Sequence, residues 1–377
     1  MIYFGNIGNT QTRIFVESEF KAFPHKHIDF IAVDHTEVHT VVDKIQNNKV
    51  IIYFTDEPPL EGLEVFFNIF KSHSDKQFCM LNDIPNWSLI AEWPDNVTWV
   101  YYSFSLYSYD KDNALGDYRY MQCLKDKNFD SNKIGICFNR LPRPHRLATI
   151  SYMLGIGLDD VCEITAPLLQ WFLDTNTNNI MDVVSWDFAK HKYFKQYMLD
   201  GWSKALNGDG LVPATVDAYP PYNDLRPLQK KLTNALNYKN NLIPFYKNSF
   251  IEFIMVTVFD YKLPWICEKT LNCTLGSNFP IWIAGQGTVE WFRDNQFDVF
   301  DDVINHDYDK EIDPVLRIEK CIKDNELLLT NPDFTKHQWT KHQDRFKANL
   351  DWHIKKSANR VHKGRALLES WINDTHT

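Results

Sequence analysis

The chain lacks any apolar run of the roughly 18 residues that a membrane span needs. Its start, Met1 to Arg13, turns polar too early for a signal block. Both absences argue against a membrane span and predict a cytoplasmic protein, in the host's cytoplasm if the source is viral. The seven cysteines, Cys79, Cys123, Cys137, Cys162, Cys267, Cys273 and Cys321, form no CxxC pair and no tight cluster with histidine. That pattern argues against a zinc ribbon and predicts reduced, mostly buried thiols. Positive charge is in deficit: the net charge of −9 disfavours bulk attraction to nucleic acid. Repeats and low-complexity tracts are missing, and the one early glycine loop, Asn6-Ile7-Gly8-Asn9-Thr10, is too loose a pattern to claim a nucleotide.

What is present is apolar and aromatic. Hydrophobic residues make up 44 % and aromatics 15 %, enough for packed cores. The 377 residues suit two domains of the usual size, roughly 100 to 200 residues each. Short runs rich in β-branched and aromatic residues read as buried parallel strands: Phe30-Ile31-Ala32-Val33, Val50 to Phe54 and Val97 to Tyr102 in the first third, then Lys133 to Phe138, Ser249 to Thr257 and Pro280 to Ala284. Amphipathic segments such as Glu61 to Lys71 fit as crossover helices, and so does an aromatic helix over Trp186 to Trp202. The alternation predicts an α/β protein. Its expected parts are a domain over 1–130, a second over 131–320 and a basic helical extension over 321–377, with the polar stretch 110–132 between the first two. The Pro- and Gly-bearing segment 206–227 is a candidate lid.

Two blocks carry the chemistry. In Asn139-Arg140-Leu141-Pro142-Arg143-Pro144-His145-Arg146, a strand runs into a helix that Pro144 opens. Free N–H groups at a helix start, with arginines beside them, suit a diphosphate; the alternative is surface arginines pairing with acidic neighbours. The second block, Cys267-Glu268-Lys269-Thr270, again opens a helix after a strand. There Glu268 can accept bonds from vicinal hydroxyls and Lys269 can neutralise a departing diphosphate, although a solvated Glu-Lys pair is the commoner meaning of such a dipeptide.

Together with Phe250 to Thr257, Pro280 to Gly285 and Phe297-Asp298-Val299-Phe300, these blocks resemble the donor domain of the α1,3-fucosyltransferase family (family ten) and its viral, phage-type relatives. The resemblance covers roughly residues 134–320. It implies a GT-B architecture, two doubly wound Rossmann-like domains facing a cleft. It also implies a nucleotide-diphosphate sugar held by the second domain, and inverting transfer without metal or other cofactor. On this resemblance Arg146 would hold the diphosphate, Glu268 the ribose or sugar hydroxyls and Lys269 a phosphate, with Asn139, Arg140, Arg143, His145 and Thr270 completing the donor site. The family's aromatic-Glu-Asn run is replaced here by Ile254-Met255-Val256-Thr257, which leaves the donor open.

Inverting transfer needs a base on the acceptor side. Glu57 is the first candidate and Asp56 the second, because Thr55-Asp56-Glu57-Pro58-Pro59 ends the strongest early strand; Asp34 and His35 follow. Asp307-Tyr308-Asp309 has the form of a metal-binding DxD, but its run of further acids (Asp298, Asp301, Asp302, Asp313) reads as solvated charge, so no metal is expected. The acceptor divides two ways, with a glycan preferred over a hydroxymethylated base of viral DNA. The DNA reading draws on residues 335–365, where nine basic residues meet Asp344 and Asp351 for a balance of +7, interleaved with Trp339, Phe346 and Trp352. A third reading is a non-catalytic carbohydrate-binding or structural protein whose twelve tryptophans stack on sugars.

Overall fold

Short β-branched and aromatic runs do form strands, and they assemble into two separate parallel sheets. The computed structural model describes residues 2–4, 27–33, 44–54, 63–82, 92–101, 127–139, 143–165, 179–207, 209–211, 244–256, 259 and 268–374; at 2–4, 33, 54, 63–64, 82, 268, 271 and 354–362 it describes the backbone only. Two compact units emerge, Met1–Lys111 with Lys355–Thr377, and Asp112–Ile354. The division falls inside the polar stretch 110–132.

The first unit holds β1 (Ile2–Phe4), β2 (Ile28–Val33), β3 (Lys49–Phe54), β4 (Gln77–Asn82) and β5 (Val97–Tyr101). They lie in chain order, every neighbouring pair parallel. A doubly wound sheet reverses its strand order, and among the described strands this one does not. Right-handed crossovers that all advance one way leave their helices on one face. That face receives α1 (Leu63–Ser72), whose Phe70 ring sits 4.7 Å from that of Phe78. The opposite face, with Phe30, Ile51, Tyr53, Cys79 and Val100, is covered by Leu368, Trp371 and Ile372. Those residues end the last helix, α8 (Gln343–Asn373). Lys49 fastens it there, its Nζ donating to the carbonyls of Trp371 (2.8 Å) and Asp374 (2.5 Å).

The second unit holds β6 (Gly135–Phe138), β7 (Cys162–Thr165), β8 (Ile251–Met255) and β9 (Phe279–Ile283), in the order β7-β6-β8-β9. Here the order does reverse, between β6 and β8. Around the sheet lie α2 (Pro144–Gly155), α3 (Lys192–Leu206), α4 (Glu268–Gly276), α5 (Thr288–Asp294), α6 (Pro314–Lys323) and α7 (Pro332–Lys341). α2 and α3 cross at van der Waals contact because glycine allows it: a Cβ on Gly201 would stand 1.8 Å from the Ser151 carbonyl oxygen. The Tyr152 and Phe194 rings stack beside the crossing at 4.3 Å.

The expected extension over 321–377 is instead divided between the two cores. Trp339 is 1 % exposed and donates its indole N–H to the Ser277 carbonyl at 2.6 Å. Phe346 packs on Phe279 and Phe300 at 4.9 and 4.7 Å. Trp352 donates to the Asn295 carbonyl. The physical reason is that β9 and the segment after it present aromatic surface that would otherwise be wet.

At the N-terminal end of the second sheet a single buried cation organises four acceptors. Lys127 Nζ donates to the carbonyls of Tyr246 (2.7 Å), Ser249 (2.5 Å) and Gly276 (2.8 Å) and to Asn278 Oδ1 (2.5 Å). Gly276 ends α4, so the charge also meets the negative end of that helix. Asn278 Nδ2 donates onward to Ser249 Oγ at 2.9 Å, closing the network.

Candidate ligand site at the strand-order reversal

Ligands of open parallel sheets bind outside the carboxyl ends of the strands, where the strand order reverses. In this chain that point lies between the ends of β6 and β8. The crossovers β6–α2–β7 and β8–α4–β9 run in opposite directions from it, so right-handed connections place α2 and α4 on opposite faces. Both helices begin at the carboxyl edge, so both N-termini flank the reversal.

Strand alternation assigns the side chains to faces. Gly135, Cys137 and Asn139 share one face, and a Cβ on Gly135 would meet Phe253 there. Cys137 lies in the field of Arg146, so this is the α2 face. Phe138 and Thr165 are register partners on the other face, where Phe138 meets the Tyr246 ring, and Tyr246 in turn touches α4 at Gly276.

Pro144 occupies the first turn of α2, and the helix start brings His145 and Arg146 inward rather than out to solvent. His145 Nε2 stands 2.8 Å from the Val256 carbonyl, so that nitrogen carries the proton; the ring stacks on Phe259 at 4.8 Å. Burial, reinforced by the Arg146 charge, holds this imidazole well below its ordinary range, and it is neutral. Arg146 is 3 % exposed and donates an Nη2 proton to the Met255 carbonyl at 3.2 Å. It therefore fastens α2 to the end of β8. Arg143, the N-cap, is exposed and faces the solvent side of the same helix start.

Asn139, at the end of β6, is fully buried. Its Nδ2 reaches Cys137 Sγ at 3.3 Å, while its Oδ1 has no hydrogen-bond partner among the described residues. On the opposite face Thr165 Oγ1 and Thr270 Oγ1 are likewise buried and without a partner among the described residues. Lys269 is half-buried in the first turn of α4, and Glu268 opens that helix with only its backbone described. Sequence reading missed two contributors. Thr165 sits on a strand too short to stand out. Arg317, from α6, donates to the Phe259 carbonyl (3.0 Å) and the Ala284 carbonyl (2.8 Å) and lies 4.5 Å over the Phe259 ring.

Arg140, Asp34, His35, Asp56 and Glu57 lie outside the described residues, as does most of the segment 206–227. The acidic run is solvated in part, with Asp301, Asp302 and Asp307 exposed, and structural in part. Asp309 is 6 % exposed and accepts the Glu290 amide at the start of α5; Asp313 caps α6 and meets His191 at 2.9 Å; Asp298 and Asp302 bind Arg345. Among the described residues no three metal-binding side chains gather. A cavity of about 650 Å³ lies beside α5, lined by Glu290, Arg293, Asp301, Asp307, Asp324 and Phe334. Its acidic wall is the wrong sign for a diphosphate, so the strand-order reversal is the better candidate. The aromatic residues of 335–365 are core, and Arg345 is neutralised by its two aspartates. No helix among the described residues is long and apolar enough to cross a membrane.

Compared with known proteins, the chain matches no family model, no curated protein and no solved structure.

Proposed function

We propose that the protein is a glycosyltransferase that draws its sugar from a nucleotide diphosphate donor held by its second unit, whose sheet reverses its strand order. The observation that carries the reading is the strand-order reversal of the second sheet, flanked on opposite faces by the N-termini of α2 and α4. The backbone amides of two helix starts, with Arg143 and Lys269 beside them, suit the negative charge of a diphosphate. Arg146 and His145 act one step back: they fix the helix start against β8, which holds the amides in place.

In the transfer, a carboxylate takes the proton of an acceptor hydroxyl as that oxygen attacks the anomeric carbon. The carbon–oxygen bond to the diphosphate breaks, and the departing charge is met by Lys269 and the helix amides. Glu57 is the proposed base and Asp56 its alternative, both following β3 in the chain. A neutral glycan is the favoured acceptor, since the aromatic residues that a DNA base would stack on are enclosed in the core.

Thermal stabilisation across a panel of nucleoside diphosphates tests the reading, because a ligand that binds only the folded chain raises the melting temperature. One nucleotide should give a shift that Lys269→Ala and Arg143→Ala each diminish. No shift from any member would overturn the proposal.

A further inference from the structure

A buried side-chain amide with an unused end is rare in a folded protein, because a desolvated polar group without a partner is destabilising. Asn139 is one such group and Asn272, a turn into α4, is another; of the two, Asn139 is the one that follows a strand end at the reversal. It is 0 % exposed, its Oδ1 has no partner among the described residues, and its other end meets only the weak hydrogen-bonding sulfur of Cys137. The amide nitrogen donates to that sulfur, which leaves the carbonyl oxygen as the unused end. Its position is specific: directly after β6 on the α2 face, one strand from the Met255 and Val256 carbonyls that His145 and Arg146 occupy, and five residues before Pro144, the start of α2.

Ligand chemistry follows from the group. A carbonyl oxygen repels an ionised phosphate, and a fully deprotonated diphosphate offers it no hydrogen. What satisfies an amide is a neutral group that both gives and accepts, such as a hydroxyl or the edge of a nucleobase. The helix start beside it supplies the anion contacts. The two are separate in kind and adjacent in the chain. Resting on the donor-site reading above, we infer that Asn139 is the selectivity residue for the neutral part of the nucleotide, hydroxyl or base edge, immediately next to the diphosphate held at the α2 N-terminus.

The test is calorimetric binding to the full chain of the nucleoside diphosphate that stabilises it most, with inorganic pyrophosphate alongside, for the wild type, for the similar-sized Asn139→Leu and for the smaller Asn139→Ala. Both variants should bind the nucleoside diphosphate about tenfold more weakly, the loss of roughly one hydrogen bond, and bind pyrophosphate as the wild type does. The ligand-free variants should melt no lower than the wild type, Asn139→Leu about 2–4 °C higher, because an unsatisfied group has been removed. Two further ligands identify the source: a 2′-deoxynucleoside diphosphate that binds the wild type tenfold more weakly points to a ribose hydroxyl, and the same loss on exchanging the base points to the base edge. Equal weakening of pyrophosphate, unchanged nucleotide affinity in both variants, or a fall in melting temperature in both would overturn the inference. The last result would assign the amide to a buried water and a purely structural role. Binding by the wild type that ignores Asn139 sinks this subsite alone; no nucleotide binding at all sinks the donor site with it.

Discussion

Two buried asparagines at opposite ends of the second sheet are used on opposite terms. At the N-terminal end Lys127 meets four acceptors, and Asn278 carries the network on to Ser249 with both ends of its amide engaged. At the carboxyl end another buried asparagine, Asn139, keeps one end unused, and Thr165 and Thr270 bury hydroxyls without a partner among the described residues. Burial is equally deep at both ends, so exposure does not distinguish them. Hydrogen-bond completion separates the two asparagines: Asn278 has both ends of its amide engaged, and Asn139 keeps one unused.

The contrast can be broken in several places. Lys127→Met should have the largest effect, a loss of roughly 3–5 kcal/mol in urea unfolding, because it strips a charge from acceptors that stay buried. A small loss would mean that water replaces the ammonium and that this end is not closed. Acid acts on the other side of the sheet. Burial holds His306 at about 4, despite its bond to the Val299 carbonyl, and holds His145 well below its usual range. The unfolded chain protonates these residues near 6.5, so stability is complete above that pH and falls as the pH drops toward 4. His306 alone accounts for on the order of 3 kcal/mol. Unfolding free energies measured at steps from pH 7.5 to 4.5 should decline, and His306→Gln should flatten the profile; an unchanged slope would remove His306 as the cause. Asn278→Leu should destabilise by about 2 kcal/mol, the opposite sign to the same change at Asn139. Equal signs would erase the difference between the ends. The smallest effect belongs to Thr270→Val, a gain of about 0.5 kcal/mol by differential scanning calorimetry, since a hydroxyl with nothing to bond is exchanged for a methyl.

Much of the strand framework is readable from residue type. β2, β3, β5, β6, β8 and β9 all lie on the apolar runs that suggest them. β7 is hidden because Cys162–Thr165 is short and carries Glu163, whose carboxyl burial pushes upward. β4 is hidden by its polar ends, Gln77 and Asn82. The helix expected from Trp186 begins only at Lys192, since Asp187 accepts the Ala189 amide and makes a turn first. At the site, Pro144 marks the helix start, but nothing local says that Arg146 turns inward. That depends on the unfilled carbonyls of Met255 and Val256, more than a hundred positions away. Lys127 leaves no trace in the sequence for the same reason: its acceptors are the ends of other elements. The aromatic residues near the C-terminal end read as a stacking surface only while the face of β9 that they cover is unknown.

The last helix has a consequence for how the chain is made. Leu368 fills the core of the first sheet, and Lys49 bonds to the Trp371 carbonyl 322 positions along the chain. During synthesis the strands of the first unit therefore leave the ribosome long before Leu368, Trp371 and Ile372, which pack on one of their faces, have been made. Domains usually fold in the order in which they are made. Here the first unit cannot be completed until residue 368 has been made, after the whole of the second unit.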